Sequence, residues 1–131
     1  MGMMSPGSGA PIRGPADEEP RVGFAVIYRW KVKPGFEARC REGWERVTRA
    51  IMAERGGLGS RLHVMEDGTW VAYAQWPGRA AWERSRAMGP VDPEGSRMME
   101  EAQAESFPAM PLEPAADFLL PLPILPSKRA S

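Results

Sequence analysis

The segment that most constrains the fold runs from Val22 to Lys33, where residues alternate strictly between two faces. Val22, Phe24, Val26, Tyr28, Trp30 and Val32 fall on one side of an extended chain. Gly23, Ala25, Ile27, Arg29, Lys31 and Lys33 fall on the other. Side chains of a strand alternate with period two, so this stretch reads as a strand with one wholly apolar face. Pro34-Gly35 stops it. Directly afterwards Phe36, Cys40, Trp44, Val47 and Ile51 recur at spacings of three and four, the stripe of an amphipathic helix. Arginines and glutamates from Arg39 to Arg49 fill most of its wet side, and Gly56-Gly57 ends it at a left-handed cap.

The rest of the chain completes a recognisable order. Leu58 to Met65 and Thr69 to Trp76 read as two strands, and Asp67-Gly68 between them favours a tight primed hairpin turn. Arg79 to Met88 reads as a second helix with Ala81, Trp82, Ser85 and Met88 inward. Ser96 to Ser106 reads as a short third helix, and Ala115 to Leu120 as the last strand. The expectation is an α+β fold of ferredoxin-like, split βαβ type: a four-stranded antiparallel sheet with helices on one face. The working domain is about residues 22–120. Residues 1–21, with four Pro and four Gly and no periodicity, read as a flexible tail, and 121–131 as a Pro-rich arm.

The free face of such a sheet should be wet, yet the first strand is apolar on one face and partly so on the other through Ala25 and Ile27, and the third strand carries Trp70, Ala72, Ala74 and Trp76 on one face and Val71 and Tyr73 on the other. A second copy of the same sheet would cover the free face, so the sequence predicts a homodimer joined through its sheet faces. The aliphatics of Pro121 to Pro126 should not stay in water, which places the arm on the partner subunit.

Composition excludes several classes of function. Lys+Arg and Asp+Glu balance at 17 each, so there is no basic field for nucleic acid or a membrane surface. One cysteine, Cys40, and one histidine, His63, rule out a disulfide framework and a cysteine- or histidine-rich metal site within one chain. No apolar run reaches the roughly 20 residues that span a bilayer, and Met1 to Pro20 has no secretory apolar core. A small, soluble, cytoplasmic protein with no metal site of its own is expected. Gly56-Gly57-x-Gly59 follows a helix and precedes a strand, the wrong order for a phosphate loop.

The element order, the strand end Val32-Lys33-Pro34-Gly35, the strand ending at Trp76 and the helix opening Arg79-Ala80-Ala81-Trp82 resemble the antibiotic-biosynthesis-monooxygenase-like group of dimeric α+β barrels. The resemblance implies a dimeric barrel over residues 22–120. It covers cofactor-free oxygenases of polycyclic phenols and quinols, haem-degrading enzymes and an isomerase, and fold alone does not choose among them. Haem-degrading members use a first-strand asparagine, a helix tryptophan and a late helical histidine. This chain contains no asparagine, Tyr28 stands at the first-strand position, Ser85 at the helix-tryptophan position, and His63 is on the second strand. Haem degradation is therefore not expected.

The cofactor-free oxygenase asks for less: an apolar pocket, a group that handles a proton, and donors for developing oxyanion charge. The pocket should lie between sheet and helices and take a small aromatic ligand. Tyr28 and His63 are the candidate catalytic residues. Phe24, Trp30, Trp44, Trp82 and Met88 are candidate substrate-binding walls, together with Met98 and Met99, of which one should be exposed or at a contact. Arg29, Tyr73 and Gln75 are the candidate polar partners. Each has a plainer reading: Tyr28 as a core tyrosine with a backbone partner, Trp44 and Trp82 as packing, and His63 as a rim residue between Arg61 and Met65. Cys40, between Phe36 and Trp44, reads as a small hydrophobe. The leading expectation is a cofactor-independent monooxygenase acting on a small aromatic polyketide or quinol. The alternatives are a non-catalytic binding or dimerisation module, and an isomerase or cyclase working by acid–base chemistry.

Overall fold

The structure, a computed structural model, describes residues 21–120. The tail and the Pro-rich arm lie outside the described residues, apart from Arg21 at the tail's end. The elements are β1 (Phe24–Val32), α1 (Glu37–Glu54), β2 (Ser60–Val64), β3 (Trp70–Trp76), α2 (Arg79–Ala87), α3 (Pro93–Ala102), β4 (Gln103–Ser106) and β5 (Met110–Leu112). All strand pairs are antiparallel, in the order β2-β3-β1-β4, with β5 also on β1. This is the ferredoxin-like arrangement, and the sheet is open rather than closed on itself.

The alternation in β1 decides which face is core. Phe24 and Val26 are fully buried and Trp30 nearly so, facing the helices. Two buried clusters form there. One holds Trp30, Cys40, Trp70, Ala72 and Ala102; the other holds Phe24, Val26, Trp76 and Trp82. Tyr28 packs against both. Cys40 sits beneath the Trp30 indole, whose Nε1 donates to its Sγ over 3.2 Å, and burial raises the thiol's pKa.

Three elements differ from expectation. The last strand is not at 115–120. Two short strands, β4 and β5, share the edge of β1 instead, separated by a break at Phe107–Ala109 that contains Pro108. Proline has no N–H to give to a ladder, so pairing resumes beyond it. The third helix ends at Ala102, not Ser106, because the open edge of β1 recruits Gln103–Ser106: Lys33 N donates to Ala102 O and Phe107 N to Arg29 O. Tertiary pairing there overrides helix propensity. Asp67-Gly68 is not a two-residue turn either. Gly68 N donates to Met65 O and Met65 N to Thr69 O, which makes Glu66 to Gly68 a three-residue loop with Gly68 at φ 89°.

α3 lies along α1. Arg46 holds Asp92 with two hydrogen bonds of 2.9 and 3.1 Å, and Arg39 reaches Glu101. Met98 is buried, and Met99 is half-buried in contact with the cluster that holds Trp30 and Cys40.

Candidate functional site

A cavity of about 310 Å³ lies between the sheet and α1. Its origin is visible on β3. Trp70, Ala72, Ala74 and Trp76 share the helix-facing side, so two large residues flank two small ones and the layer is left unfilled between them. Tyr28 and Trp30 border the void from β1, and Trp44, Val47, Thr48, Ile51 and Met52 from α1. Met99, Gln103 and Ser106 complete it from α3 and β4.

Tyr28 is the most informative of these side chains. Its hydroxyl oxygen accepts a hydrogen bond of 2.8 Å from Nε1 of Trp82, which is 3% exposed on α2. An indole nitrogen can only donate, so the phenol keeps its own proton for another acceptor. Burial raises the Tyr28 pKa; the Trp82 hydrogen bond and the Arg86 charge act against that rise. Trp76 also borders the cavity, and its buried Nε1 has no hydrogen-bond partner among the described residues.

The sequence candidates separate by the place each takes in the fold. Tyr28, Trp30 and Trp44 line the cavity from the helix side of the sheet. Phe24 and Trp82 lie in the adjoining core, their rings 5.4 Å apart. Arg29 and Gln75 border the cavity, but from positions whose side chains alternate to the opposite face. There the Arg29 guanidinium stacks on Phe107 at 5.2 Å, and Arg29 Nε is buried without a hydrogen-bond partner among the described residues.

His63 and Tyr73 stand on that opposite face too. β2 pairs His63 with Val71 and Arg61 with Tyr73, out of phase with the cavity-lining Ala72 and Ala74. His63 is exposed, and its Nε2 accepts from Arg61 Nε over 3.0 Å. Met88 is 66% exposed, because α2 ends at Ala87 and the inward stripe ends with Ser85. Ser85 is itself held by Arg55, whose Nη1 donates to its carbonyl and hydroxyl oxygens.

Ala72, Ala74, Thr48, Ile51, Gln103 and Ser106 line the cavity without having been singled out from the sequence. The pair of alanines between Trp70 and Trp76 was the available signal. Among the described residues, no group of three or more His, Cys, Asp or Glu is placed to hold a metal ion, and no helix is long and apolar enough to cross a membrane.

The family model for antibiotic biosynthesis monooxygenases matches residues 23–91, just over half of the chain. The chain belongs to that family. The matched stretch carries β1 to α2, and so Tyr28, Trp76 and Trp82; β4 and its cavity residues fall outside it. Among solved structures, this antibiotic biosynthesis monooxygenase family member is similar to Rv0793 from Mycobacterium tuberculosis, at 21% identity and a TM-score of 0.60, over 73% of this chain and 98% of that one. It is also similar to SnoaB, a cofactor-independent oxygenase from Streptomyces nogalater, at 15% identity and a TM-score of 0.60, over 72% and 95%. A conserved protein from Methanosarcina mazei Go1 aligns at 10% identity and a TM-score of 0.58, over 70% and 92%. At these identities the likeness is one of fold. No curated protein sequence matches the chain.

Proposed function

We propose that this protein is a cofactor-independent monooxygenase that takes a small aromatic polyketide or quinol-type substrate into the cavity. The observation that carries the reading is Tyr28, a phenol bordering an apolar void with its oxygen already held by Trp82 and its proton unspent. The fold shared with SnoaB, a cofactor-independent oxygenase, supports it. An ionised quinol or anthrone can pass electrons to dioxygen by itself. A carbon–oxygen bond forms, and loss of water from the hydroperoxide leaves one oxygen atom on the substrate and one in water. The protein's part is to exclude solvent and to stabilise the anionic oxygen of the substrate. Tyr28 O–H is the donor for that oxygen.

The test is oxygen uptake by purified, metal-free protein with a panel of anthrones and naphthoquinols, beside Tyr28→Phe. Uptake above the autoxidation blank that falls at least tenfold in the variant supports the oxygenase.

One observation favours the binding module instead. Among the described residues, the cavity lining includes no carboxylate, histidine or lysine to serve as a base, and burial keeps Tyr28 protonated. Ligand binding in the cavity with no uptake across the panel selects that reading.

The homodimer through sheet faces is part of the same proposal. Ile27 and Tyr73 on the far face, flanked by Met110 and Leu112 at 40% and 38% exposure, are the surface it would cover.

A further inference from the structure

We propose that Trp82 and Arg86 are positioning residues for Tyr28: the indole holds the phenol oxygen so that its proton is left for a ligand oxygen in the cavity, and the guanidinium stacked on the indole strengthens that hold. The inference rests on the cavity being the ligand site.

The geometry supplies each link. Trp82 Nε1 is 2.8 Å from the Tyr28 hydroxyl, and the donor can only be the indole. A hydroxyl has one proton, and this bond does not use it. The Arg86 guanidinium sits 4.7 Å from the centre of the Trp82 ring. A cation over an indole draws electron density from the ring and makes its N–H a better donor. Phe24, fully buried, meets the same indole at 5.4 Å and helps to fix its plane. Arg86 itself is exposed, so its guanidinium contributes without a place in the core.

A plainer role is open to the pair, since a core tyrosine needs some hydrogen-bond partner when buried. Satisfaction alone, however, would not require a charge on the far side of the donor. Arg86 is the charged group that acts on Tyr28; the clusters packed around the phenol otherwise present apolar side chains, Trp30, Ala72, Phe24 and Trp76 among them.

The chain has only two tyrosines, Tyr28 and Tyr73. In a Tyr73→Phe background the ultraviolet titration of tyrosinate therefore reports Tyr28 alone. Adding Arg86→Gln, or Trp82→Phe, is expected to move that titration to higher pH, with Arg86→Lys restoring part of the shift. Binding of a naphthol probe should weaken about fivefold in each of Arg86→Gln and Trp82→Phe. Neither should weaken it further when Tyr28 is already Phe, because both act through that hydroxyl.

A titration that stays put in Arg86→Gln overturns the proposal; that exposed position leaves the fold intact even if Trp82→Phe does not fold. A loss of probe binding that persists in full without the Tyr28 hydroxyl overturns it as well. Failure of the parent chain to bind any naphthol or anthrone would instead count against the cavity as the ligand site, while the titration still decides the link from Arg86 to Tyr28.

Discussion

A Cβ placed on Gly43 would stand 2.8 Å from the carbonyl oxygen of Gly95 and 2.9 Å from Cγ of Met99. The two glycines therefore set how closely α1 and α3 cross, and that crossing holds Met99 against the cavity. The backbone of Gly95 cannot give way as the end of a side chain could. Gly95 is confined too, but less tightly and by side chains: its own Cβ would lie 3.0 Å from Cγ2 of Val47 and 3.1 Å from Cβ of Arg46.

Gly43→Ala should accordingly push α3 off α1. Overpacking of this kind costs about 1–3 kcal/mol. The expected outcome is a lower Tm by thermal melting, together with weaker binding of aromatic probes because Met99 moves with its helix. An unchanged Tm would mean that the crossing relaxes freely.

The void between Trp70 and Trp76 makes a second prediction. Ala74 lines the cavity on the helix side of β3. Ala74→Leu adds apolar volume where there is space, so stability should hold or rise by about 0.5–2 kcal/mol. Naphthol binding should fall at least tenfold. Together these two results would separate a ligand cavity from a packing defect, since filling a defect has no functional cost.

Much of this site was open to reading before the fold was known. The period of β1 placed Tyr28 and Trp30 on the core face, and the stripe of α1 placed Trp44 and Cys40 inward; both survive in the buried clusters. What stayed hidden depends on register and on distant pairing. His63 shares its strand with Leu62, and only the pairing of β2 with β3 shows that it faces away from Tyr28. The bond between Tyr28 and Trp82 spans 54 positions, and nothing local to either residue announces it. Ala102-Gln103 carries no helix breaker; the unfilled edge of β1 stops α3, and an edge is not a property of a short segment.

Acid should loosen the α1–α3 contact. Between the two helices, the hydrogen bonds from Arg46 to Asp92 and from Arg39 to Glu101 hold these carboxyls below their usual pKa range, as Arg97 does for Glu94 within α3. A carboxylate with a depressed folded pKa contributes stability that is present above the unfolded value, about 4, and lost as pH falls through the folded one. The ion pairs are exposed, so each effect is modest. Tm should decline between about pH 5 and pH 2, and less steeply in Arg46→Gln, which has no Asp92 partner left to lose. An identical slope in the two proteins would mean that Asp92 contributes nothing to the acid response.

The last prediction concerns the far side of the sheet. Ile27 lies mid-strand on that face, between Tyr73 on β3 and Met110 on β5. A sheet packed on a second copy would bring this row against its own symmetry mate, because a two-fold interface is self-complementary. Ile27→Glu would then bury two like charges near the axis while leaving the helix-side core untouched. Sedimentation should show the parent chain as a dimer and the variant as a monomer with native secondary structure by circular dichroism. Arg29 and Lys31 share the face, so added salt should change dimer affinity as well. A parent chain that sediments as a monomer would remove the sheet-face dimer, and the apolar row would then be ordinary exposed surface.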